Sequence, residues 1–188
     1  MPRYFGAVTI VLLLGMVWVR VLLMRRKGIR AMHFGKIDKK DFLIPPVALF
    51  YFYIMFAAAF RFPTVSRQEF FQSGIISLAG VLFCLAGLSF LFLSLVSFGT
   101  SFRVGIDQDQ PDKLVTTGVF AFTRNPIYVA FALILLGQFL LFSNWILLVY
   151  MVAAIGLFHR QVLREEEFLR KHYGQQYSEY CDRVRRYL

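Results

Sequence analysis

Two short segments of this 188-residue chain hold the residue types that polar chemistry needs. One is Arg124-Asn125-Pro126-Ile127-Tyr128, and the other is Arg164-Glu165-Glu166-Glu167-Phe168-Leu169. An arginine just ahead of a proline-started helix presents its fork from a rigid helix end, which suits bidentate capture of a carboxylate. The same residue can equally be an interfacial arginine whose stem lies along apolar surface, beside an ordinary asparagine cap. The glutamates are three acids in a tail otherwise dominated by bases. A solvated charge run accounts for one of them. Three successive helical positions cover most of the circumference, so at least one must face inward, toward the basic loops. Such an acid suits an amino group, for example that of a methionine-derived cofactor.

Other chemistries find little support. Cys84 and Cys181 lie far apart and His33, His159 and His172 are scattered, so zinc, iron–sulfur and serine–histidine–aspartate sites have no basis and no metal is expected. A heme between two of these histidines lacks a pair at matching depth. Gly99 and Gly118 belong to no dinucleotide or P-loop pattern.

The elements that must position the two segments are apolar. The chain is 58% hydrophobic with a mean hydropathy of +0.60, yet carries a net charge of +10. That pairing excludes a disordered chain, a disulfide scaffold and an ordinary soluble enzyme. A membrane span needs about 20 apolar residues. Runs occur at Phe5–Met24, Phe42–Phe60, Gly74–Phe98, Ile127–Phe142 and Trp145–Phe158. The first is followed by its basic cluster and lacks a cleavage pattern, so a span is expected rather than a signal peptide. The last two are separated only by Ser143–Asn144, which predicts a tight hairpin that returns the glutamate segment to the Arg124 face. The tail repeats Leu169, Tyr173, Tyr177, Cys181 and Val184 at helical spacing, with Gly174 expected to split it into two helices.

The expected fold is therefore all-α: a polytopic membrane bundle of five transmembrane helices with a cytoplasmic helical C-terminal tail. Residues 1–98 form an N-terminal three-span region. Residues 99–188 form the core that carries the chemistry, divided into a loop (99–126), a hairpin (127–158) and a tail (159–188). Of the 21 basic residues, 18 fall in 20–41, 99–126 and the tail, against Arg3, Arg61 and Arg67 on the other face. The positive-inside rule then places the N-terminus outside and the C-terminus in the cytoplasm. The excess is explained by topology and by attraction to anionic lipid headgroups, and no nucleic-acid motif accompanies it. The first connection, with Ile29, Met32 and Phe34 among its charges, can form an interfacial helix.

Taken together, the two segments resemble the isoprenylcysteine carboxyl methyltransferase family and its prokaryotic relatives, which include phospholipid methyltransferases. The resemblance rests on Leu114-Val115-Thr-Thr-Gly118-Val-Phe120, Arg124-Asn125-Pro126-Ile-Tyr128, and Glu165-Glu166-Glu-Phe-Leu169 continuing to Tyr173-Gly174, Tyr177 and Tyr180. It covers about the C-terminal half. Asn125 stands where the eukaryotic pattern has histidine, and asparagine suits binding rather than proton transfer. The usual proline after Arg186 is missing.

What the resemblance implies is methyl transfer from S-adenosylmethionine to an amphiphilic acceptor at the membrane–cytosol boundary, in a bacterial or archaeal inner membrane. Carried over by position, Asp112, Lys113, Leu114 and Val115 would line the cofactor. Phe120 and Tyr128 would pack on it, Asn125 and Pro126 would shape its pocket, and Glu165 would hold its polar end. Arg124 and Glu166 would orient cofactor and substrate as the catalytic pair. A lipophilic acceptor would enter from the bilayer; the carboxylate of a prenylcysteine-like substrate is preferred, with phospholipid, amine and thiol acceptors open. The rivals are an NADPH-dependent membrane reductase, for which the chain is short, and a non-enzymatic membrane scaffold.

Overall fold

The computed structural model describes residues 2–26, 44–60, 73–99 and 114–188. Its helices are α1 (Pro2–Arg26), α2 (Ile44–Ala59), α3 (Gly74–Ser97), a short 3-10 turn (Gly118–Ala121), α4 (Pro126–Phe142), α5 (Trp145–Tyr173) and α6 (Gln175–Arg183). Every expected span coincides with a helix. The start expected at Phe42 and the possible interfacial helix between α1 and α2 lie outside the described residues.

Three helices, α1, α3 and α5, are long and apolar enough to cross a membrane, while α2 and α4 are shorter apolar helices. The 17 residues of α4 rise about 25 Å, short of the roughly 30 Å hydrocarbon core. Large apolar side chains such as Trp18, Leu82, Phe92 and Val149 stand on the outside of the bundle. That surface suits lipid and not water.

The packing centre is the contact of α3 with α4, made close by glycine. A methyl group at Gly137 would lie 2.6 Å from the Gly80 carbonyl oxygen and 2.7 Å from Cys84 Sγ. One at Gly87 would lie 2.6 Å from Ile134 Cγ1. Backbones this near each other are a common way for helices to associate in lipid, where the hydrophobic effect gives no drive. This contact crosses the 98/99 boundary, so both halves of the chain share one core.

Several polar groups buried between the described helices find partners, as an apolar solvent requires. Thr9 and Ser94 donate to Phe5 and Phe90 carbonyls one turn back, at 2.7 and 2.6 Å. Gln138 accepts from the Tyr51 hydroxyl and donates to the Gly6 carbonyl at 3.3 Å, tying α1, α2 and α4 together. Tyr51 also stacks on Tyr150 of α5 at 4.5 Å between ring centroids. At the other end of the bundle, Arg20 donates to the carbonyl of Gly99. The C-terminal ends of α1 and α3 therefore share one side, as the order of spans predicts.

The hairpin turns in two residues. Ser143 ends α4 in the left-handed region (φ 38°), and the Asn144 side chain caps α5 by accepting from Ile146 N–H at 2.7 Å. The chain then departs from the expected plan. The fifth helix does not stop near Phe158 but runs on unbroken to Tyr173. His159 to Lys171 is rich in good helix formers, so nothing breaks the helix until Gly174, whose φ of 51° separates α5 from α6. Glu165–Glu167 thus ride on a rigid extension of a membrane helix.

Candidate functional site

The approach to the first motif is set by Gly118. Its φ is 64°, and a Cβ there would lie 2.3 Å from Ser97 Oγ. Only glycine lets the loop press on the end of α3, where Val119 N–H donates to Ser97 Oγ at 3.2 Å. The 3-10 turn buries Phe120, whose ring meets Phe98 edge-on at 4.7 Å. The Phe120 carbonyl accepts from the Tyr180 hydroxyl at 2.7 Å, so α6 closes over this turn.

Pro126 occupies the first turn of α4, as expected of a residue with no N–H to lose. Asn125 precedes it but makes no side-chain cap. Its side-chain amide donates instead to Glu166 Oε1 and to the Arg186 carbonyl, each at 3.2 Å. The cap is given up for a long-range link between motif and tail.

The three glutamates divide by environment. Glu167 is the solvated one, paired with Lys171 one turn on at 2.6 Å. Glu166 points inward and is only 4% exposed. Arg124 Nη2 stands 3.2 Å from its Oε1, and Arg186 Nη2 stands 2.9 Å from its Oε2. Burial alone would raise the Glu166 pKa, but the Arg186 hydrogen bond, the charges of Arg124 and Arg186, and the Asn125 amide outweigh it and hold the carboxyl below its usual range. Arg124 also donates through Nη1 to the Cys181 carbonyl at 3.1 Å. Its Nε is buried with no hydrogen-bond partner among the described residues.

Glu165 is the opposite case. Its Oε1 accepts from the Tyr128 hydroxyl at 2.6 Å and from Gln161 Nε2 at 3.1 Å. Neither partner is a cation. Desolvation is the largest influence on this carboxyl and raises its pKa, although both hydrogen bonds oppose the rise. Two neighbouring acids on one helix thus differ in kind: among the described residues Glu166 is doubly compensated by arginine, and Glu165 has no cation beside it. A half-buried carboxylate without a counter-ion is a ready acceptor for an ammonium group.

Around them, burial pushes the Tyr180 phenol up to about 12 and carries Tyr177 higher still, so both stay neutral. The structure therefore brings Arg124, Asn125 and Glu166 into one network and sets Tyr128 with Glu165 beside it. Phe120 joins through Tyr180. Pro126 shapes the turn, while Leu114 and Val115 lead into the 3-10 segment half-buried. Asp112 and Lys113 lie outside the described residues. Arg186 and Tyr180 take part without having been singled out from the sequence. Tyr180 closes the tail pattern of the family, but nothing distinguishes Arg186 from neighbouring arginines.

Comparison with known proteins bears on this arrangement directly. Residues 75–176 match the family model described as phospholipid methyltransferase, a stretch that holds both motifs. The chain is 28% identical over 129 residues to a probable protein-S-isoprenylcysteine O-methyltransferase of Oryza sativa subsp. indica, covering 67% of this chain and 65% of that protein. It is 31% identical over 94 residues to protein-S-isoprenylcysteine O-methyltransferase B of Arabidopsis thaliana, covering 48% of each. With the rat protein-S-isoprenylcysteine O-methyltransferase it shares 28% over 128 residues, 66% of this chain and 45% of the relative. The chain thus spans less than two thirds of these relatives. With more than half of its residues under the family model, the chain belongs to the phospholipid methyltransferase family.

Proposed function

We propose that the protein is a membrane methyltransferase that uses S-adenosylmethionine and acts on an amphiphilic acceptor at the bilayer boundary. The observation that carries this reading is the contrast between Glu165 and Glu166. Among the described residues the site holds one carboxylate locked by two arginines and, one residue away, one carboxylate with no cation beside it. A donor bearing an amino group and a sulfonium supplies the missing positive charge. In the same region the Nε of Arg124 is buried with no hydrogen-bond partner among the described residues. The residues present therefore fit the group.

When bound, the donor supplies a methyl group on a positive sulfur, displaced in line by an acceptor lone pair as the carbon–sulfur bond breaks. This chain's task is alignment, from which much of the rate of such a reaction derives. Glu165, steadied by Tyr128 and Gln161, holds the amino end. Arg124, Glu166 and Asn125 act by fixing the turn before α4, and Phe120, Leu114 and Val115 supply apolar walls. Asp112 and Lys113 complete the lining by position in the family motif. No residue is needed as a strong base if the acceptor is already a carboxylate.

The names of the relatives favour a prenylcysteine-like carboxylate as acceptor, and the family description favours an amino-lipid headgroup. Both acceptors are lipophilic and reach the site from the bilayer, while the donor arrives from the side that carries most of the basic residues, read as cytoplasmic. Calorimetric titration of the purified protein in lipid nanodiscs tests the reading. One-site binding of S-adenosylhomocysteine with no response to NADPH is expected. Folded protein that binds NADPH, or neither ligand, overturns it.

A further inference from the structure

After α6 the chain leaves helical geometry at Val184 (φ −124°, ψ 132°). The closing residues Val184 to Leu188 then lie across the Thr123–Asn125 turn. Three donors of that turn end on two carbonyls of this strap. Arg124 N–H reaches Arg185 O at 3.0 Å, and the Thr123 hydroxyl and the Asn125 amide each reach Arg186 O at 3.2 Å. Thr123 is fully buried and Asn125 only 8% exposed. The strap's carbonyls thus supply partners to donors that it also helps to shield from water, where a missing hydrogen bond is costly.

Arg186 also works from its other end. Its Nε and Nη2 lie 3.0 and 2.9 Å from Glu166 Oε2. The opposite oxygen, Oε1, takes Arg124 and Asn125. One residue thus grips the turn through its main chain and the α5 carboxylate through its side chain. A final contact, His159 Nδ1 with Tyr187 Oη at 2.9 Å, pins the strap to α5 again.

We infer that Arg186 is a positioning residue for the methyl-donor site: it sets Glu166, and through Glu166 the Arg124–Asn125 turn, in register with Tyr128 and Glu165. This rests on the reading of that region as a donor site. A fastening role for the tail alone would lower stability and leave donor affinity unchanged. A positioning role must alter donor affinity in protein that is still folded.

The test combines Arg186→Gln, Arg186→Lys and Glu166→Gln with titration of S-adenosylmethionine and hydrogen exchange at the Arg124 amide. Arg186→Gln is expected to weaken donor binding by about tenfold or more and to speed exchange at Arg124. Arg186→Lys keeps the charge but replaces the Nε and Nη2 pair on Glu166 by a single ammonium, so its affinity should fall between wild type and Arg186→Gln, with exchange at Arg124 still faster than in wild type. Because Arg186 acts through Glu166, adding Arg186→Gln to Glu166→Gln should change affinity by less than about twofold. Folded Arg186→Gln that binds donor like wild type overturns the inference, and so does a full additional loss in the Glu166→Gln background. If Arg186→Gln does not fold, Arg186→Lys decides, and wild-type affinity together with wild-type exchange at Arg124 overturns it. If wild type binds no donor, the proposed function fails instead. Exchange at Arg124 then decides separately, with no acceleration in Arg186→Gln counting against the inference.

Discussion

Tyr128, in the first turn of α4, donates its phenolic hydrogen to Glu165 on α5 across 2.6 Å. This bond joins the proline-led motif to the glutamate helix. It also opposes the desolvation that raises the Glu165 pKa. Tyr128→Phe should therefore push the Glu165 carboxyl higher still. The expected outcome is weaker donor binding at neutral pH, with the pH at which binding sets in moved in the alkaline direction. Titration calorimetry at a series of pH values measures both.

Glu166 should govern acid stability. Its folded pKa is lowered, so its contribution is present above the ordinary carboxylate range and is lost as pH falls through the folded value. Glu166→Gln leaves Arg124 and Arg186 facing a neutral amide in a buried place. The expected cost is about 3–5 kcal/mol, with a flatter loss of stability in acid than wild type shows. Thermal unfolding in detergent across the acid range reads both effects.

Gly118→Ala should disturb the loop rather than the bundle. A non-glycine residue at φ 64° costs about 1–2 kcal/mol before any clash. The new methyl group would also meet Ser97 Oγ at 2.3 Å and displace the partner of Val119 N–H. Adding Ser97→Gly should relieve the clash and leave the backbone strain. Melting temperatures in the order wild type, double variant, Gly118→Ala are the expected result.

Much of this architecture is legible in the residues because its causes are local. Ser143–Asn144 is too short for anything but a hairpin, and Gly174 breaks the helix where it stands. The turn chemistry of Pro126 is local too. The inward glutamates follow from helical geometry, since three in a row cannot all face water. What escapes is long-range. Arg186 meets Glu166 from 20 positions away, and in a basic tail it looks no different from Arg183 or Arg185. Asn125 reads as a cap because that is the commonest use of asparagine before a helix. It serves Glu166, 41 positions on, because a buried carboxylate competes for its amide. The extension of α5 past Phe158 escapes for another reason: hydropathy marks where the apolar layer ends, and helices do not end there.

The central claim is that Glu165, which has no cation beside it among the described residues, is a carboxylate reserved for the cation of a methyl donor. Its raised pKa means that its contribution to folding is present at low pH and is lost as pH rises through the folded value. Donor binding must run the other way, strengthening over that same window as the carboxylate ionises. The most direct measurement is S-adenosylmethionine affinity against pH for wild type and Glu165→Gln in nanodiscs. The account predicts wild-type affinity that climbs with pH to a plateau, and a folded Glu165→Gln protein that binds about tenfold or more weakly with no such climb. Equal affinity of the two proteins across the whole range would contradict it.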